Sequence, residues 1–120
     1  MKTFGVADPL KEALKPFGKK VVLAFIFGSV ATGDDSSQSD IDLFIVAAGI
    51  QYADVMKRML FVEKTVGRPV NPSLYSPEEF VAKIKSENHF VTRVVNRPKI
   101  MIVGTEHDLA KRLRVSVTTP

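Results

Sequence analysis

Two apolar runs lie close together in this chain, residues 21–27 (Val-Val-Leu-Ala-Phe-Ile-Phe) and 41–47 (Ile-Asp-Leu-Phe-Ile-Val-Ala). Each is rich in β-branched and aromatic residues and reads as a buried strand. Residues 28–40, which join them, are too few and too polar for a crossover helix of ordinary length. A parallel pair needs such a crossover, so the two strands are expected to run antiparallel.

Around them the chain alternates helix and strand signals. Asp8-Pro9 suits a helix start, with Asp as cap and Pro in the first position. Leu10, Leu14 and Phe17 recur on one face, and Gly18 is expected to end that helix. Gly49 breaks the second strand, and Tyr52 to Val66 follows at helical spacing, with Val55, Met59, Phe61 and Val62 as its apolar positions and Gly67 as C-terminal cap. Val70 to Tyr75 reads as a third strand, and Pro69 and Pro72 place it at a sheet edge. A full helix before it allows a parallel, right-handed crossover from the second strand. Ser76-Pro77-Glu78-Glu79 predicts a capping box and a helix to about Lys85. A short helix over His89–Val95, a fourth strand over Lys99–Val103 and a last helix over Glu106–Leu113 complete the order. The expected architecture is α+β (mixed α/β), a small mixed sheet of about four strands covered by helices, with residues 1–120 as one domain.

Composition narrows the classes. Of 120 residues, 45 % are hydrophobic, enough for one sizeable core and too many for a disordered tail. There is no cysteine, which excludes a disulfide framework and a thiolate metal site. No apolar run approaches the roughly 20 residues a bilayer demands, and the N-terminus lacks a signal-peptide pattern. A cytoplasmic protein without a membrane partner is expected. The net charge of +4 gathers at Lys19-Lys20, Lys57-Arg58, Arg93 to Lys99 and Lys111 to Arg114. This favours an anionic ligand weakly. Without aromatic interleaving it gives only weak support to nucleic acid as a partner.

The chemistry concentrates between the first two strands, in Gly28-Ser-Val-Ala-Thr-Gly-Asp-Asp-Ser-Ser-Gln-Ser-Asp-Ile-Asp-Leu43. Side chains two apart on a strand share a face, so Asp40 and Asp42 point the same way with Cα atoms roughly 6.6 Å apart. Two carboxylates so placed repel one another unless a cation lies between them. Hard oxygen ligands suit Mg²⁺, which keeps waters and takes further ligands from substrate phosphates. Phe44 and Val46 continue the same face and Ile41, Leu43 and Ile45 make the other, so the charges sit only at the mouth of a buried strand. Gly28 lets the backbone approach a ligand closely and adopt a positive φ. Ser29 adds a hydroxyl that can cap the following turn, whose free N–H groups suit an anion. Taken alone, each is an ordinary strand-end pair; with the aspartates they form a grip for a metal-bound nucleoside triphosphate.

Other motifs fail. A calcium loop starting at Asp34-Asp35-Ser36 would place Ser39 sixth and Ile45 twelfth, where Gly and Glu are required. Gly33 alone is weak. Neither Gly-x-x-x-x-Gly-Lys-Ser/Thr nor Gly-x-Gly-x-x-Gly occurs, which excludes P-loop and Rossmann sites. His89 and His107 lie far apart in helical segments and suit surface or structural roles.

The run Phe27-Gly-Ser-Val-Ala-Thr-Gly with Ser39-Asp-Ile-Asp-Leu43 closely resembles the signature of the DNA polymerase β-like nucleotidyltransferase superfamily. In size the chain is similar to the minimal nucleotidyltransferase domain. The resemblance implies a nucleotidyltransferase fold and transfer of a nucleoside monophosphate from a Mg²⁺-bound NTP to a hydroxyl acceptor, releasing pyrophosphate. It implies that Gly28 and Ser29 hold the β- and γ-phosphates and that Asp40 and Asp42 hold the metals. In a two-ion arrangement the cations lie roughly 3.5–4 Å apart and brace the attacking and leaving oxygens.

Active members of the superfamily usually carry a third carboxylate on the strand after the helix. Here the aligned position is Asn71, which is neutral and cannot take a proton from an acceptor. Glu78 and Glu79 are near in sequence but read as helix-start residues. Two expectations follow from the resemblance: an impaired transferase, or an NTP- and metal-binding antitoxin-like module with a HEPN-type partner. With the first helix starting so near residue 1, any acceptor-binding surface is expected from a partner chain or a second copy.

Overall fold

The computed structural model describes residues 4–32 and 40–118. Its elements are α1 (Phe4–Leu14), a 3₁₀ turn (Lys15–Lys20), β1 (Val21–Phe27), α2 (Ser29–Thr32), β2 (Ile41–Ala47), α3 (Tyr52–Val66), β3 (Val70–Tyr75), α4 (Pro77–Lys85), α5 (His89–Val95), β4 (Ile100–Val103) and α6 (Glu106–Thr118). The four strands form one mixed sheet in the order β3-β2-β1-β4. β1 runs antiparallel to both neighbours, and β2 runs parallel to β3. The α+β architecture, the antiparallel β1–β2 pair, the parallel crossover through α3 and the edge position of β3 all agree with the sequence.

Alternation splits the sheet into two apolar faces. Ala24, Ile26, Ile41, Leu43 and Ile45 pack with Leu10 and Leu14 of α1 and Val55, Met59 and Val62 of α3. Leu23, Phe25, Phe44 and Val46 pack with Phe80 and Ile84 of α4, Val91 and Val94 of α5 and Leu109 of α6. The second face is aromatic. Phe44 is stacked on Phe25 at 5.1 Å and on Tyr75 at 5.0 Å, and takes the edge of Phe80 at 5.8 Å. Burying one such ring stabilises by roughly 1.5–3 kcal/mol, and ring pairing adds to it.

The helix ends depart from the sequence reading in places. α1 starts at Phe4 and carries Pro9 inside it rather than in its first turn. Val6 and Ala7 are buried, so the apolar face begins upstream of the cap signal and outweighs the bond Pro9 cannot make. The same helix stops at Leu14, before Phe17, and tightens into a 3₁₀ turn, because Pro16 has no N–H to give the Glu12 carbonyl. The freed carbonyl of Ala13 accepts from Arg58 Nε of α3 at 2.9 Å. Gly18, with φ 59°, lies within the 3₁₀ turn that follows. On α3, Phe61 is 64 % exposed and not part of the buried stripe. β4 starts at Ile100 instead of Lys99, and α6 continues to Thr118. The capping box at Ser76 forms as read: Ser76 N donates to Glu79 Oε1 at 2.8 Å and Glu79 N to Ser76 Oγ at 3.0 Å. Among the described residues no helix is long and apolar enough to cross a membrane.

Candidate active site

β1 ends and β2 begins at the same margin of the sheet, because an antiparallel pair puts Phe27 opposite Asp42. Gly28 follows with φ 79°, a left-handed conformation that turns the chain out of the strand. The turn presses its backbone against Asp42. A Cβ at residue 28 would lie 2.5 Å from Asp42 Oδ2, closer than any side chain could remain. Glycine at 28 is therefore a condition for the Asp42 carboxylate to stand where it does. Ser29 opens α2 directly after this corner. Residues 33–39, with Gly33, Asp34, Asp35, Ser36 and Ser39, lie outside the described residues, as does the side chain of Ser29.

The two aspartates share a side of the sheet, as alternation requires. Asp40 is exposed and Asp42 half-buried. The parallel register pairs Asp42 with Asn71 of β3. Asn71 Nδ2 donates to Asp40 Oδ2 at 2.9 Å, and the same side chain is near enough to Asp42 to lower its carboxyl. Carboxylates only accept, so the amide nitrogen is the donor in this pair. Burial pushes the Asp42 carboxyl above the usual range, the Asn71 side chain pulls it back, and the charge on Asp40 adds to the rise.

Two hard oxygen acids facing one way, one of them raised by burial and then by its neighbour's charge, are a donor set that suits a divalent cation. The Gly28 backbone lies directly against the Asp42 carboxylate, with no side chain between them. Among the described residues no three His, Cys, Asp or Glu side chains group together.

Other sequence candidates fall elsewhere. Glu79 is spent on the α4 cap, and Glu78 is exposed beside it. His89 and His107 are both exposed. Phe90 had no signal beyond its place on a short helix. Its ring meets Phe27 edge-on at 5.8 Å and stacks obliquely on Phe44 at 6.3 Å, so α5 supplies an apolar wall on the aspartates' side of the sheet.

A mixed sheet of this order, with strand-end aspartates against a glycine corner, defines a nucleotidyltransferase-type domain. The family described as "Polymerase beta, Nucleotidyltransferase" matches residues 9–102, and the chain belongs to that family. The matched span takes in Gly28, Ser29, Asp40, Asp42 and Asn71. Similar solved structures include a toxin–antitoxin with AMP-PNP, at a TM-score of 0.66 and 18 % identity over 93 % of this chain and 84 % of that one. A mutant of a toxin–antitoxin pair, MntA–HpeT, gives 0.63 at 15 % identity, again over 93 % and 84 %. The toxin–antitoxin MntA–HepT gives 0.58 at 16 % identity over 94 % and 82 %. At these identities the likeness speaks for the fold. A search of curated proteins found no match.

Proposed function

We propose that the chain binds a Mg²⁺-carried nucleoside triphosphate at the Gly28–Asp42 corner and transfers its nucleoside monophosphate to a hydroxyl acceptor at a reduced rate. The observation that carries this reading is the convergence of Asp40 and Asp42 on one side of the sheet, beside a glycine where a side chain would be strained and would press on Asp42. In it, Asp40 and Asp42 hold the metal, while Gly28 and Ser29 grip the β- and γ-phosphates. Bound Mg²⁺ supplies charge for the phosphoryl oxygens, where the transition state needs it. The chain's own residues position: Gly28 admits the phosphates, and the apolar wall of Phe27 and Phe90 limits water on one side. Asn71 can ligate through its oxygen, but it can accept no proton from an acceptor hydroxyl. That is the reason for a slow transfer step. Residues 1–120 act as one domain in this reading, in the cytoplasm.

The test is calorimetry of Mg²⁺ with ATP and with the other NTPs. The wild type is expected to bind, and Asp40→Ala and Asp42→Ala each to lose binding. Unchanged affinity in both variants ends the metal assignment.

A second reading is favoured by the solved toxin–antitoxin structures that share this fold. Here the chain is an antitoxin-like module with little transferase activity, and its partner is a helical protein of the HEPN type or a second copy. Labelled NTP offered with candidate partners separates the two: label moved onto a partner hydroxyl supports transfer, and stable pairing without label supports the module.

A further inference from the structure

We infer that this site holds one divalent cation, not a pair, and that the Asn71 amide sets that number. The inference rests on the proposed NTP site and concerns how that site is loaded. Two facts carry it. The β2–β3 register sets Asn71 beside Asp42. Its Nδ2 lies 2.9 Å from Asp40 Oδ2.

The NH₂ group thus lies against Asp40, with a positive hydrogen aimed at its oxygen, on the residue paired with Asp42. A paired-ion site places its cations roughly 3.5–4 Å apart, both against shared carboxylates. Asp40 and Asp42 bring two negative charges to such a pair, where a carboxylate at 71 would bring a third. One cation is matched by these two acids and the phosphates that arrive with the nucleotide. A second would meet the amide hydrogens and displace the charge-assisted bond to Asp40 with no anion gained. The amide could turn its oxygen inward, but a neutral oxygen ligates a hard cation more weakly than a carboxylate. Asn71 therefore performs, as a fixed dipole, the charge relief that a second ion would otherwise give.

The experiment uses the whole chain with Mn²⁺ in place of Mg²⁺ and a non-hydrolysable ATP analogue. After removal of free ligand, Mn²⁺ and analogue are counted per chain, and electron paramagnetic resonance distinguishes an isolated ion from a coupled pair. The wild type is expected to retain one Mn²⁺ per analogue, with the spectrum of an isolated ion. Asn71→Asp is expected to retain two, with a coupled spectrum. Two coupled ions in the wild type, or one ion in a folded N71D chain, overturns the inference and leaves the NTP site standing. Retention of neither Mn²⁺ nor analogue by the wild type overturns the NTP reading and this inference with it. The wild-type count decides even where the variant does not fold.

Discussion

The carboxylate of Asp42 occupies the space that a side chain on Gly28 would fill: a Cβ there would lie 2.5 Å from Oδ2. Gly28→Ala must also hold a left-handed φ of 79°, which costs a non-glycine residue about 1–3 kcal/mol. The variant should melt lower and bind Mg²⁺·NTP at least about tenfold more weakly, a loss of about 1.4 kcal/mol. Calorimetry and thermal denaturation together check this. An alanine chain with wild-type affinity would separate the corner from the ligand.

Asp42 pays for its position in the metal-free protein. Its folded carboxyl is raised, first by burial, so the native state holds the proton more tightly than the unfolded chain. Stability from this group is present at low pH and is lost as pH rises from the ordinary aspartate range through the raised value. Asp42→Asn removes that loss and keeps an acceptor for Asn71. The metal-free variant should match the wild type at low pH and exceed it at neutral pH by less than about 1 kcal/mol, since the group is half-exposed. Melting curves in chelator across pH check this; a lower neutral melting point for D42N reverses the sign.

Asn71→Asp should raise any nucleotide transfer by about 10–100-fold, the range expected when a missing metal-site partner is supplied. The measurement is labelled-NTP turnover with Mg²⁺ at matched protein concentration. An equal or lower rate removes Asn71 as the cause of slow chemistry.

The central strands and the acid pair were legible because they follow from short-range rules. One apolar run closed by Gly28 and another opened after Asp40 leave little choice of ends. Alternation alone puts Asp40 and Asp42 on one face, and two prolines assign β3 to an edge. Pro9 misled for a physical reason: proline is favoured in a first turn, yet Val6 and Ala7 bury enough surface to extend the helix past it. Phe61 fitted the helical spacing of α3 but faces outward, under the Arg58 guanidinium at 5.4 Å. The amide bridge from Asn71 was out of reach, because it depends on the β2–β3 register. The register is set by the buried set Ile41, Leu43, Val70 and Pro72 acting together.

Phe44 is fully buried and touches rings from β1, β3, α4 and α5. Phe44→Ala should cost about 3–5 kcal/mol, a large share of the stability of a domain this size. Denaturant midpoints give the value. A cost below about 1 kcal/mol would mean the aromatic face is loosely packed.

Ser76→Ala breaks the reciprocal cap of α4 far from the acids. It should cost about 0.5–2 kcal/mol while leaving nucleotide affinity unchanged. The pair of measurements separates stability from binding in this fold.

Pro72 sits on β3 one residue beyond Asn71 and brings no N–H, while its carbonyl accepts from the Tyr52 hydroxyl at 3.4 Å. A foreign strand approaching that rim of the sheet finds neither donor nor free acceptor midway along it. The margin next to the acids is thereby a poor template for zipper-like growth of the sheet at Pro72.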